Sequence, residues 1–303
     1  MTLDFNAVDP TVVPHFKGGA GEAHVRTAVA DGMGRILTLT LPAGSSIGLH
    51  THTGNCEIIH VLSGCGVCHD DGMDVPLTAA ELKEMPAQTV LVPTSLGAVE
   101  IAYHLDGVDN LRLTGELVAD IYLGRVTKWN DARIASVNPG VSLPDKEIYP
   151  VFRLDGSGTT YVFTHYLSSV SPAWAESVGT GKSLTFPRGV AATGTPGVAG
   201  LVEKIPGAIG YVASGYSASF DIQRALLQNA AGNYVQPSTE SITAAAALQT
   251  ADTNVMLTDS PAAEAYPISC FSWVMLYRNQ SYSGRTREQA EQTLAVLRWL
   301  VGP

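Results

Sequence analysis

The sequence predicts an α/β fold from residue 74 onward, preceded by an all-β segment over residues 1–73. Three observations carry this. Arg35 to Leu41 alternates apolar and polar residues as a half-buried strand does, and turn-rich clusters at 42–46, 53–55 and 70–72 cut the surrounding chain into short runs. From about Leu77 onward, helical stretches alternate with β-rich runs such as Thr89–Pro93 and Ala98–Tyr103. The chain closes on an amphipathic helix. Thr286 and Gln289 stand at capping-box spacing before it, and Ala290, Leu294, Leu297 and Val301 are its expected buried stripe.

Composition narrows the function classes. The 303 residues suffice for two domains or one large one. With 45% hydrophobic and 15% charged residues, a sizeable core is expected and global disorder is not. The net charge of −10, with no basic run to offset it, argues against nucleic acid. No apolar stretch reaches the ~18 residues of a membrane span. Met1-Thr-Leu-Asp-Phe-Asn has neither a basic start nor an apolar core, so no signal peptide is expected and the chain as written would stay in the cytoplasm. Four cysteines, Cys56, Cys65, Cys68 and Cys270, are too few for a disulfide framework in a chain this long.

The most informative stretch is Arg153-Leu-Asp-Gly-Ser-Gly-Thr-Thr160. It follows a short apolar strand, Ile148 to Phe152, and precedes a helix whose apolar face is Phe163, Tyr166, Leu167 and Val170. Gly156 and Gly158 therefore lie at a strand-to-helix turn. A helix start has unpaired N–H groups and a partial positive charge, which suit an anion. Ser157, Thr159 and Thr160 add hydroxyls, Arg153 adds a planar cation able to grip two oxygens, and Asp155 can orient that arginine. On local chemistry alone the stretch reads either as an oxyanion cradle, most simply for phosphate, or as a plain helix cap.

In the β segment, His50 and His52 share one face of a strand and Glu57 follows a turn, an arrangement that suits a divalent transition metal. Gly44, His50, His52, Glu57 and Gly64 stand in the spacing of the first cupin motif, so residues 34–72 resemble the first part of a small cupin barrel. The resemblance implies metal ligation by His50, His52 and Glu57. The second cupin motif, with its further histidine, has no counterpart. Two other patterns are discounted. Cys65-Gly-Val-Cys-His69 has the form of a haem-attachment motif but lies in a β region, and Gly179-Thr-Gly-Lys-Ser183 lacks the first P-loop glycine, Glu176 standing there.

From Asp74 to the end, the chain resembles the phosphate-binding proteins of ABC phosphate transporters. The matching stretches are Asp74-Val-Pro-Leu-Thr, Gly97 to Tyr103, Asp120 to Asp131, Asn138 to Pro144, Arg153 to Thr160, Gly207 to Tyr211 and Tyr266-Pro-Ile268. This implies the type II periplasmic-binding-protein fold, two α/β lobes around a ligand cleft. Lobe two would span about 105–257. Lobe one would be incomplete, built from 74–104 and 258–303, because the family's first strands and two ligand loops have no match here. The resemblance also implies that Arg153, Ser157, Gly158 and Thr159 hold phosphate. Asp155 would pair with the arginine, and Asp74 would accept a hydrogen bond from the protonated phosphate oxygen. An ionised carboxylate only accepts, so Asp74 would favour a protonated anion and repel sulfate.

The expectation is therefore a non-enzymatic solute-binding protein with a transporter permease as partner, placed by the resemblance in the periplasm or outside the cell. Two alternatives stand beside it: a metal-dependent cupin-type enzyme or sensor, and a fusion without selected function.

Overall fold

The computed structural model describes residues 9–30, 34–42, 45–47, 68–70, 73–75, 89–247, 256–281 and 286–301. They divide between two compact units. One is drawn from Met1–Ile59, Cys68–Val75 and Tyr277–Pro303, the other from His60–Val67 and Pro76–Leu276.

In the first unit, β1 (Thr11–Pro14), β2 (Glu22–Ala30) and β3 (Gly34–Thr40) form an antiparallel sheet in that order. The alternating run at 35–41 is β3, and it pairs with β2 from Ala30↔Gly34 to His24↔Thr40. β4 (Cys68–Asp70) and β5 (Met73–Val75) make a short antiparallel ladder in which Asp74 stands opposite His69. The all-β texture is thus present. The cupin motif from His50 to Gly64 lies outside the described residues, and so does Cys65.

The second unit is built on a six-stranded sheet. Its chain begins with β6 (Thr89–Tyr103), β7 (Arg112–Leu113), α1 (Gly115–Tyr122), α2 (Ala132–Val137) and β8 (Tyr149–Arg153). It continues through α3 (Gly158–Val170), α4 (Pro172–Ser177), β9 (Val190–Ala192), α5 (Gly194–Lys204) and β10 (Ala208–Ala213). Then come β11 (Gln223–Arg224), β12 (Leu226–Gln228), β13 (Tyr234–Val235), α6 (Thr239–Ala246) and β14 (Ser269–Tyr277). The sheet order is β11-β6-β10-β8-β9, with β14 also on β6, while β13, β12 and β7 form a separate small sheet. The two β runs expected at 89–93 and 98–103 are one continuous strand, β6. Pro93, which has no N–H to give a ladder, lies outside the stretch Val99–Tyr103 that pairs with β10. Residues 89–103, which the family resemblance assigns to lobe one, therefore run through the middle of this sheet.

β8 pairs in parallel with β9 on one side and β10 on the other. Chain order and spatial order therefore differ, and the helices that follow β8 and β9 pack on opposite faces. The alternation of β10 makes this visible. Ile209 and Tyr211 join the core with Phe163, Tyr166 and Leu167 of α3. Ala208 and Val212 join Val198, Ala199 and Val202 of α5. The apolar face predicted for α3 is the observed one, with Val170 partly buried. Two large buried side chains have their polar tips satisfied: Trp129 Nε1 donates to Gly207 O at 3.0 Å and the Tyr122 hydroxyl to Val151 O at 3.0 Å. Gly179–Ser183 is a loop, strapped to α3 by a 3.1 Å bond from Gly181 N to Thr164 Oγ1.

The C-terminal helix, α7 (Arg287–Val301), carries the expected capping box. Thr286 N donates to Gln289 Oε1 at 2.8 Å, and Gln289 N donates to Thr286 Oγ1 at 3.3 Å. Its buried stripe needs correction. Leu294 is 41% exposed, whereas Thr293 is buried beside Leu297. A threonine can take the inner position because its hydroxyl donates to Gln289 O at 3.0 Å within the helix. Among the described residues no helix is long and apolar enough to cross a membrane.

α5 lies close on β10 because Gly210 has no side chain. A Cβ there would stand 2.7 Å from Val202 Cγ2 and 2.8 Å from Val198 Cγ1. β-Branched, buried valines cannot swing aside. Gly210→Ala is expected to destabilise the protein by about 1–3 kcal/mol, read as a lower urea midpoint at unchanged slope. An unchanged midpoint would show that this packing is looser than described.

Candidate anion site at the Arg153 turn

The parallel pairing of β8 with β9 ends at Arg153↔Ala192, so the two chains leave the sheet side by side. Each then starts a helix, α3 from the Ser157 cap and α5 from the Thr193 cap. Two helix N-termini thus open at the carboxyl end of neighbouring strands, where the chain turns to one side and then the other. Open α/β sheets bind ligands at such places.

Arg153 is the centre. It is 2% exposed, and its side chain projects to the α5 face. Nε donates to Asp155 Oδ1 at 2.8 Å, one terminal nitrogen bonds Asp155 Oδ2, and the other donates to Thr195 Oγ1 at 3.1 Å. Asp155 also accepts from Gly194 N at 2.9 Å. Gly194 holds φ at +69°, a conformation other residues adopt at a cost, and this turns its N–H toward the carboxylate. The arginine's hydrogen bonds, helped by that amide and opposed by burial, lower the Asp155 pKa from 3.8 to about 2.

The start of α3 is arranged separately. Ser157 caps the helix, accepting from Thr160 N at 3.3 Å, and its own N–H is spent on Lys182 O at 3.0 Å. Because its oxygen is the acceptor in the cap, the Ser157 hydroxyl proton is left to donate elsewhere. The N–H groups of Gly158 and Thr159 lie in the first turn, where no intrahelical acceptor exists. A Cβ built on Gly158 would meet nothing within 4 Å. Three of the five guanidinium N–H groups of Arg153 are engaged among the described residues, one on each nitrogen. The remaining two, like the donors at the start of α3, are of a kind that suits an oxyanion.

Arg153, Asp155, Ser157, Gly158 and Thr159 lie on or beside the turn from β8 to α3, with Arg153 and Asp155 in direct contact. Asp74 lies on β5, in the other unit. His50, His52 and Glu57 lie outside the described residues. Among those described, no three His, Cys, Asp or Glu side chains stand close enough to hold a metal. Gly194, Thr195 and Tyr211 had no assigned role in the sequence reading. Tyr211 accepts from Arg153 N at 3.0 Å and shares a 2.7 Å bond with Thr160 Oγ1. Burial raises its phenol to about 12. The α5 start was signalled by Thr193-Gly-Thr-Pro196, a capping residue followed by an early proline.

Asp155 makes an acid-dependent contribution to stability. Its carboxylate form is favoured in the folded state, so the contribution is full above the unfolded pKa near 4 and is lost as pH falls toward 2. Between pH 5 and pH 2 the parent is expected to lose about 1–2 kcal/mol more than Asp155→Asn, allowing for partial solvent screening. Urea unfolding across that range measures it, and a gap between the two proteins that does not change with pH would contradict the assignment.

Residues 72–303 match the family model described as a PBP superfamily domain. The phosphate-binding protein PstS of Xylella fastidiosa is 42% identical over 232 residues, covering 75% of this chain and 62% of its own length. PstS of Methanocaldococcus jannaschii is 35% identical over 234 residues, 71% of this chain and 60% of the relative. The chain thus spans about three fifths of the length of these curated relatives. Among solved structures, the ancestral soluble variant of the human phosphate-binding protein aligns with a TM-score of 0.53 at 20% identity, over 74% of this chain and 71% of that one. The phosphate-binding protein from Stenotrophomonas maltophilia gives 0.51 at 20% identity, over 75% and 67%. At 20% identity these two structures show the fold alone. On a family model spanning 72–303, the chain belongs to the PBP superfamily.

Proposed function

We propose that this chain binds inorganic phosphate, as the solute-binding component of an ABC phosphate uptake system acting outside the membrane with a permease as partner. The observation that carries the reading is the buried Arg153 on the same turn as the start of α3, where the N–H groups of Gly158 and Thr159 have no intrahelical acceptor. Its support is the printed function of the relatives: proteins 35–42% identical to this chain are named phosphate-binding proteins.

In this reading the two spare N–H groups of Arg153 take two phosphate oxygens. The Ser157 hydroxyl and the N–H groups of Gly158 and Thr159 take the others, with the α3 dipole favouring the negative charge. Asp155 holds the guanidinium in place and partly neutralises it, so discrimination falls to hydrogen-bond geometry. The function is binding and release, with no bond made or broken.

Isothermal titration with phosphate tests the reading. The parent is expected to bind phosphate. Arg153→Ala, shown folded by circular dichroism, is expected to bind phosphate at least about a hundredfold more weakly, the worth of two charge-assisted hydrogen bonds. No heat from the folded parent at millimolar phosphate, or unchanged binding by Arg153→Ala, would overturn it.

A further inference from the structure

We infer that Tyr211 is a positioning residue of this site. Its hydroxyl sets the end of β8 and the first turn of α3 at the separation one oxyanion must bridge. The inference rests on the phosphate reading for its ligand, but not for its geometry.

The parallel ladder between β8 and β10 has its last pair at Val151↔Gly210. Arg153 N faces the β10 side, since Leu154 N is already turned the other way, to Ala192 O at 2.9 Å. A backbone N–H that has outrun its ladder needs another acceptor, because leaving it buried and unpaired is costly. Tyr211 supplies one at 3.0 Å, from the residue just past the last pair. The same hydroxyl shares a 2.7 Å hydrogen bond with Thr160 Oγ1. Thr160 N in turn donates to Ser157 Oγ. One hydroxyl thereby links the arginine's own peptide to the cap of the donor helix.

The link is stiff. Arg153, Ser157, Thr160 and Tyr211 are all buried. The Tyr211 ring stacks on Phe163 with centroids 4.3 Å apart and is flanked by Tyr122 and Phe186. Interior rings so packed have little freedom to shift, so the hydroxyl cannot follow Arg153 or Thr160 if either moves. Binding sites gain affinity when their donors are held in place beforehand.

Tyr211→Phe removes the hydroxyl and keeps the ring. The matched control is Tyr122→Phe, which deletes an equally buried hydroxyl that bonds Val151 O and does not touch the turn. Phosphate affinity is expected to fall about tenfold in Tyr211→Phe and to stay within about twofold of the parent in Tyr122→Phe, at comparable losses of stability. Both variants binding like the parent, or both weakened alike, would overturn the role of Tyr211 while leaving the phosphate reading intact. Should the parent bind no phosphate, that reading fails by itself. Amide hydrogen exchange in the ligand-free proteins then decides on Tyr211. Arg153 and Thr160 are expected to exchange at least about tenfold faster in Tyr211→Phe than in Tyr122→Phe, and equal rates would refute the inference. Thr160→Val cuts the same link from the helix side and takes the place of Tyr211→Phe if that variant does not fold.

Discussion

The second unit is organised around one ion pair, the buried Arg153 with the partly exposed Asp155. A guanidinium taken from water and left unpaired would cost several kcal/mol, so everything around it is arranged to keep the pair complete. Asp155 supplies two oxygens from two residues further along the chain. Thr195 takes a third N–H from the start of α5, and Gly194 secures the carboxylate with its own amide. These bonds require β8 and β9 to end together, which their parallel register accomplishes. They also require α5 to begin immediately after β9, with a glycine in the left-handed region at its first position.

The pair matters for binding because it separates two tasks. The guanidinium is planar by its own delocalisation and Asp155 fixes its orientation, so the N–H groups it does not use point in set directions. A lone surface arginine would bind an anion too, but it would have to give up rotamer freedom to do so. The doubly wound topology adds the second set of donors. α3 and α5 pack on opposite faces of the sheet, yet both start at the edge where β8 and β9 stop. Tyr211, on the central strand, spans the gap between the arginine's peptide and the first turn of α3. Sheet, helix starts and ion pair therefore form one frame, and packing such as α5 on Gly210 acts on the site through it.

Much of this was legible in the sequence. The turn at 153–160 announced itself by an apolar strand, glycines, hydroxyl residues and a helical apolar stripe, all local signals. The α7 capping box was equally local. The partners of Arg153 were not, since Thr195 lies 42 residues away and Tyr211 lies 58 away. Only the order of strands in the sheet brings them near, and periodicity does not encode that order. The α7 stripe failed at Leu294 for a different reason. Hydropathy ranks threonine as polar, but within a helix its hydroxyl can bond the preceding turn and be buried cheaply. The continuity of β6 was hidden by Pro93, which reads as a break unless the pairing partner is known.

The claim on which the account turns is that the Arg153 frame and the α3 start form a single anion seat. Nuclear magnetic resonance of isotope-labelled protein during a phosphate titration tests it most directly. The amides of Gly158 and Thr159 and the Arg153 Nε resonance are expected to shift together along one binding curve. Shifts elsewhere that leave those three signals unmoved at saturating phosphate would contradict it.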